Sequence, residues 1–187
     1  LDDPRVARPA RAGQAALEAA LESALEAGAV GLSTGLEYDP GLHAGQDELV
    51  RLCRLVARHD ALYTTHLRNR DRHYRSALDE ALDTAKAAGV RLQVSHMTPK
   101  YGAPEGAAGC MRTSVERSRT AGVDVAYDVI PHAWGPTAMA SVLPAWALAG
   151  GIRATLQRLR DPAHRARIRE APNPIWPLVL EQRWTDI

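Results

Sequence analysis

The chain has 187 residues, 45% apolar and 24% charged, with 23 basic and 22 acidic side chains and a net charge of +1. That composition suits an ordinary globular domain. It offers no basic stripe for nucleic acid and no apolar run of about 18 residues to cross a membrane.

Cys53 and Cys110 lack CxxC spacing, so neither a disulfide framework nor a thiolate zinc site is indicated. Cys53 falls within the helical pattern VRLCRLVARH and reads as a small buried apolar residue. No signal peptide is visible, and a cytoplasmic location is expected.

In chain order, one grammar repeats four times at a spacing of about thirty residues. ALEAALESALEAGAVGLSTG reads as a helix, then Gly28, then an apolar strand. ELVRLCRLVARHDALYTTH repeats this with His59-Asp60 as the turn. SALDEALDTAKAAGVRLQVSH repeats it through Gly89, and SVERSRTAGVDVAYDVIPH through Gly122. The glycines fit helix C-caps, which favour left-handed backbone. Leu17, Leu21, Ala24 and Leu25 follow a 3.6-residue period along one helix face. The Arg-rich stretch from Arg153 to Arg169 reads as a solvated helix face.

Alternating helices and short strands imply an α/β fold with parallel strands and right-handed crossovers. The strands read as mostly apolar, as strands covered on both faces should be. An open doubly wound sheet and part of a (β/α)8 barrel both fit. The lack of GxGxxG after the first strand weakens a dinucleotide-binding version.

In either architecture function gathers at the C-terminal strand ends. The first strand ends in Ser33-Thr34-Gly35-Leu36-Glu37-Tyr38, the second in His66, the third in His96, and the fourth in Asp128 and His132. His66 and His96 hold matched positions in consecutive repeats. Adjacent strands lie about 5 Å apart, so the two imidazoles are expected to converge and are candidates to share a metal ion. A lone strand-end histidine is more often structural, and it is the pairing that favours a metal.

His43, His59, His73 and His164 are expected to face solvent. Asp128 is expected at least to cap its loop. Arg68 and Asn69 would anchor a loop or orient a substrate anion. Trp134, Trp146, Trp176 and Trp184 read as packing residues, with Trp134 a possible pocket wall.

The pieces GAVGLSTGLEYDPG, YTTHLRN, VSHM and YDVIPHAWGPT, with LPAW and RLRDPAHRARI, resemble the N-acyl-D-amino-acid deacylases (D-aminoacylases) of the amidohydrolase superfamily. The resemblance runs over about residues 5 to 170. It implies one partial TIM-barrel domain over 1–187, with the family likeness clear over 1–170 and a Pro/Trp-rich tail at 171–187. These would be about strands four to seven of a metal-dependent (β/α)8 barrel.

The resemblance further implies Zn2+ held by His66 and His96, and a small-molecule N-acyl-D-amino acid as substrate. Its products would be a carboxylate and a free D-amino acid. Arg68, Lys100 and His132 are the candidate substrate contacts. No nucleic-acid or membrane partner is expected. Rival readings are another amidohydrolase-superfamily amide or cyclic-amide hydrolase (dihydroorotase- or hydantoinase-like), or a non-catalytic barrel piece.

Three family features are absent: the HxH pair of strand one, the upstream metal cysteine, and the strand-eight aspartate that would act as general acid/base. A complete barrel needs about 250 residues, so the chain is expected to be the middle of a longer enzyme and inactive by itself. Met97-Thr98 stand where the family often has a basic residue, with Lys100 slightly further on, and Ile130-Pro131-His132 replace a YPY.

Overall fold

The computed structural model describes residues 11–38, 40–132 and 139–171. The chain forms two compact units, 1–131 and 132–187. In the first, α1 (Arg11–Glu26), β1 (Gly31–Gly35), a 3-10 turn (Gly41–His43), α2 (Gln46–Arg58), β2 (Leu62–His66), α3 (Tyr74–Ala88), β3 (Arg91–Val94), α4 (Ala107–Thr120) and β4 (Val125–Tyr127) alternate.

The four strands form one parallel sheet in the order β1-β2-β3-β4. An open doubly wound sheet must reverse its order at a switch point. This order never reverses, so right-handed crossovers lay every connecting helix on the same face. The architecture is therefore a partial barrel, with β1 and β4 outermost among the described residues.

Local chemistry explains the elements. Helix α2 carries Asp47 and Glu48 in its first turn and Arg58 in its last, charges that complement the helix dipole. Leu49, Leu52, Cys53 and Val56 form its buried stripe. The four repeat turns share one backbone device: Gly28, Asp60, Gly89 and Gly122 all have positive φ. Asp60 takes the left-handed position that glycine holds in the other three, a role aspartate tolerates. A Cβ on Gly31 would sit 2.0 Å from the Leu62 carbonyl oxygen, so β1 and β2 pack here only because that position is glycine.

The core lies between the helices and one face of the sheet. Tyr63, Leu92, Val94 and Val125 meet Cys53, Val56, Leu78, Leu82, Met111 and Val115 there. Cys53 is fully buried, and burial pushes its thiol up to about 12, so it behaves as an apolar residue.

Strand alternation and register place Ser33, Thr64, Gln93 and Ala126 in one layer on the opposite face. Apolar cover on both faces, expected from the sequence, is thus corrected. The helix-facing side is apolar, while the inner side is lined by small and polar residues.

In the second unit, a 3-10 turn (Met139–Val142), α5 (Ala145–Leu148), α6 (Gly151–Arg160) and α7 (Pro162–Glu170) follow one another. Asp161 caps α7 by accepting from the Ala163 N–H at 2.8 Å, with Pro162 at the first helical position. Arg153, Arg160, Arg165, Arg167 and Arg169 are exposed along these helices. Arg167 stacks its guanidinium 4.1 Å from the Trp146 ring centre, so that tryptophan packs as expected. Trp134, Trp176, Trp184 and the tail from residue 172 lie outside the described residues. Among the described residues no helix is long and apolar enough to cross a membrane.

Candidate metal centre

His66 is the last residue of β2, and its inner-face position follows from alternation with Leu62 and Thr64. Its register partner on β1 is Gly35. The ladder continues past the strand through the Leu36 N–H, which donates to the His66 carbonyl at 3.1 Å.

His96 reaches the same point by a different route. Thr65 pairs with Val94, so one step further along the ladder His66 is level with Ser95, not with His96. Strict alternation would put His96 on the helix side with Leu92 and Val94. The backbone at His96 instead turns left-handed, with φ +39. Three bonds hold it there. The Asp128 carboxylate accepts from the His96 N–H at 2.6 Å. The His96 carbonyl accepts from Arg70 Nη1 at 3.0 Å and from the Thr98 N–H at 2.6 Å. A non-glycine residue in this region costs about 1–3 kcal/mol and persists only where its surroundings enforce it.

The turn brings His66 Nδ1 to 3.0 Å from His96 Nε2, with the rings edge to face. At the far side of His66, Nε2 lies 2.6 Å from Glu37 Oε2. Glu37 is 2% exposed. Burial works to raise its pKa, but the His66 hydrogen bond and the Lys100 ammonium outweigh it and hold the carboxyl below the ordinary range. Glu37 is thus an ionised acceptor. His96 is shifted down, first by burial and then by the Arg70 charge, which favours the neutral ring with a lone pair to give.

Zn–N bonds are about 2.0–2.1 Å, so two ring nitrogens 3.0 Å apart are close enough to share one ion. The donor set fits a share of a zinc site. A catalytic zinc usually takes three protein ligands, and among the described residues no group of three or more His, Cys, Asp or Glu is placed to hold an ion. His96 Nδ1 is buried and makes no hydrogen bond among the described residues.

Of the residues named as substrate contacts, Arg68 and Lys100 are each paired with an acid of their own unit. Arg68 is buried in an ion pair with Glu80, at 2.9 Å, and also donates to the carbonyls of Leu42 and Ala44 at 2.7 Å each. The guanidinium thus anchors the loop after β1. Lys100 is paired with Glu37. His132 is exposed and belongs to the second unit. Asn69 accepts from the backbone of Asp71 and His73 and shapes the turn into α3. His59 is bonded to Glu22 at 3.1 Å on the outside of the molecule.

Glu37 and Arg70 are the site residues that sequence reasoning missed. Glu37 had a faint signal, a single acid just past a strand tip of small residues. Arg70 had none, because a charge two residues after Arg68 ordinarily faces water.

No protein-family model matches the chain. The chain is 41% identical over 132 residues to the N-acyl-D-glutamate deacylase of Alcaligenes xylosoxydans xylosoxydans, a match covering 71% of this chain and 27% of that protein. It is 29% identical over 127 residues to the D-aminoacylase of the same organism, covering 66% and 25%. The crystal structure of N-acyl-D-glutamate deacylase from Bordetella bronchiseptica, complexed with zinc and a phosphonate inhibitor, is 38% identical and superposes with a TM-score of 0.65. That match covers 71% of this chain and 28% of the other.

The chain thus spans about a quarter of the length of the relatives it matches. Over that stretch, the parallel sheet with its helices on one face and the sequence identity agree: the chain belongs to the N-acyl-D-amino-acid deacylase (D-aminoacylase) family of the amidohydrolase superfamily.

Proposed function

We propose that this chain forms part of a zinc-dependent hydrolase that cleaves the amide bond of N-acyl-D-amino acids. The products are a carboxylate and a free D-amino acid. The observation that carries the reading is the pair of imidazole nitrogens, His66 Nδ1 and His96 Nε2, 3.0 Å apart at the C-terminal ends of adjacent parallel strands. The likeness to a deacylase crystallised with zinc supports it.

In this reading His66 and His96 contribute two ligands to the ion. When bound, zinc supplies Lewis-acid activation of water and of the amide carbonyl. This chain's residues hold and orient. Asp128 and Arg70 keep the His96 turn closed, and Arg68 holds the loop that frames the mouth.

A chimera tests this. The 132-residue stretch of the Alcaligenes N-acyl-D-glutamate deacylase that matches this chain is replaced by the matching residues of the present sequence. The chimera should retain zinc by metal analysis and release glutamate from the N-acyl-D form but not the L form. His66→Ala and His96→Ala should each abolish both properties. A folded chimera without zinc, or one whose activity survives both substitutions, would refute the proposal.

A further inference from the structure

The pairing of the histidines leaves one buried group without a role. A carboxylate that is 2% exposed, as Glu37 is, stands at a strand end only if its charge is matched. Its two oxygens are taken by different partners. Oε2 faces His66 Nε2 at 2.6 Å, and Oε1 accepts from the Lys100 ammonium. An ionised carboxylate can only accept. The carboxylate therefore accepts from the His66 Nε2–H, and the other ring nitrogen, Nδ1, is the one that faces His96 Nε2.

We propose that Glu37 is a positioning residue for the metal. It fixes His66 in the tautomer that ligates through Nδ1, and Lys100 clamps the carboxylate so that it cannot swing round to ligate in its own right. This rests on the reading of His66 and His96 as metal ligands. A ligating histidine that donates its other N–H to a carboxylate is held in one orientation and becomes a more basic ligand.

The backbone supports the same role. Leu36 is 1% exposed and its N–H is bonded to the His66 carbonyl, which sets Glu37 beside the ring. The Tyr38 ring lies 5.0 Å from the His66 ring and packs against it.

The test uses the 187-residue chain labelled with 15N, first metal-free and then titrated with zinc chloride. The imidazole 15N shifts of His66 should show a protonated Nε2 and a bare Nδ1 before zinc is added. Both His66 and His96 should respond on titration. Glu37→Ala should mix the His66 tautomers and weaken zinc binding by about 10- to 100-fold. Lys100→Met should fall between wild type and Glu37→Ala.

A wild-type His66 protonated at Nδ1 would overturn the proposal, and this arm needs no variant to fold. So would a Glu37→Ala chain with unchanged tautomer and zinc affinity. If Glu37→Ala unfolds, the isosteric Glu37→Gln keeps an acceptor oxygen and should show an intermediate loss; no loss overturns the role. A correct tautomer whose rings ignore zinc would instead sink the metal reading itself, and the positioning role with it.

Discussion

The ends of β2 and β3 deliver the same side chain to the same point by opposite means. At β2 the ladder does the work: His66 is an in-register residue on the inner face, backed by the loop that Arg68 ties down. At β3 the ladder points the wrong way. His96 lies one residue past the position level with His66, and only a left-handed backbone turns it inward. One histidine is placed by regular structure, the other by departing from it. The first arrangement is supported by a buried ion pair and the second by a carboxylate near solvent, so the two should fail at different loads.

The largest effect is expected at the β2 end. Arg68→Ala leaves Glu80 buried, at 4% exposure, without its partner. Breaking a buried pair from one side costs about 3–5 kcal/mol. Urea unfolding followed by circular dichroism should show a loss of that size. A loss under about 1 kcal/mol would mean that the β2 end does not depend on this anchor.

A smaller loss is expected at the β3 end. Asp128 is exposed, and it accepts from the His96 N–H and from Gln93 Nε2 at 2.7 Å. Asp128→Ala should cost about 1–1.5 kcal/mol in the same unfolding experiment. It should also release the turn, so that the His96 ring stops responding to zinc while the His66 ring still does. Equal losses of response at both rings would erase the distinction between the two routes.

The smallest effect sharpens the comparison most. At His96 the left-handed backbone favours glycine, so His96→Gly should be more stable than His96→Ala by about 1 kcal/mol. At His66 the backbone is an ordinary strand, and the order should reverse, with His66→Ala ahead of His66→Gly by about 0.5–1 kcal/mol. Paired thermal melts of the four variants check this. The same ranking at both positions would show that the His96 turn is not strained.

Much of the frame could be read without coordinates, because its causes are local. Helix α2 follows from the spacing of Leu49, Leu52, Cys53 and Val56. The end of α3 follows from Gly89, whose left-handed backbone caps it. His66 was legible as a strand-terminal residue for the same reason, since a period of two is a property of a few adjacent residues, whereas His96 lies two residues beyond the end of β3, in a turn that the period does not foresee.

The choice between barrel and open sheet was not local. It turned on strand order, which four equivalent repeats leave undetermined until their strands pair. The inner face was also misread, because an alternating strand shows both faces at once and only packing tells which one the helices cover.

The sequence by itself determined which residues stand at the strand ends; tertiary structure decided where those residues point. The left-handed turn at His96 depends on Asp128, 32 residues later, and on Arg70, 26 residues earlier. The orientation of His66 depends on Glu37, 29 residues earlier, and Glu37 in turn on Lys100, 63 residues later. Arg68 looked available for an anion until Glu80, 12 residues on, claimed its guanidinium. Backbone preference is set by neighbours along the chain. The direction of a ring and the pairing of a buried charge are set by neighbours across it, through hydrogen bonds that form only once the strands have come together.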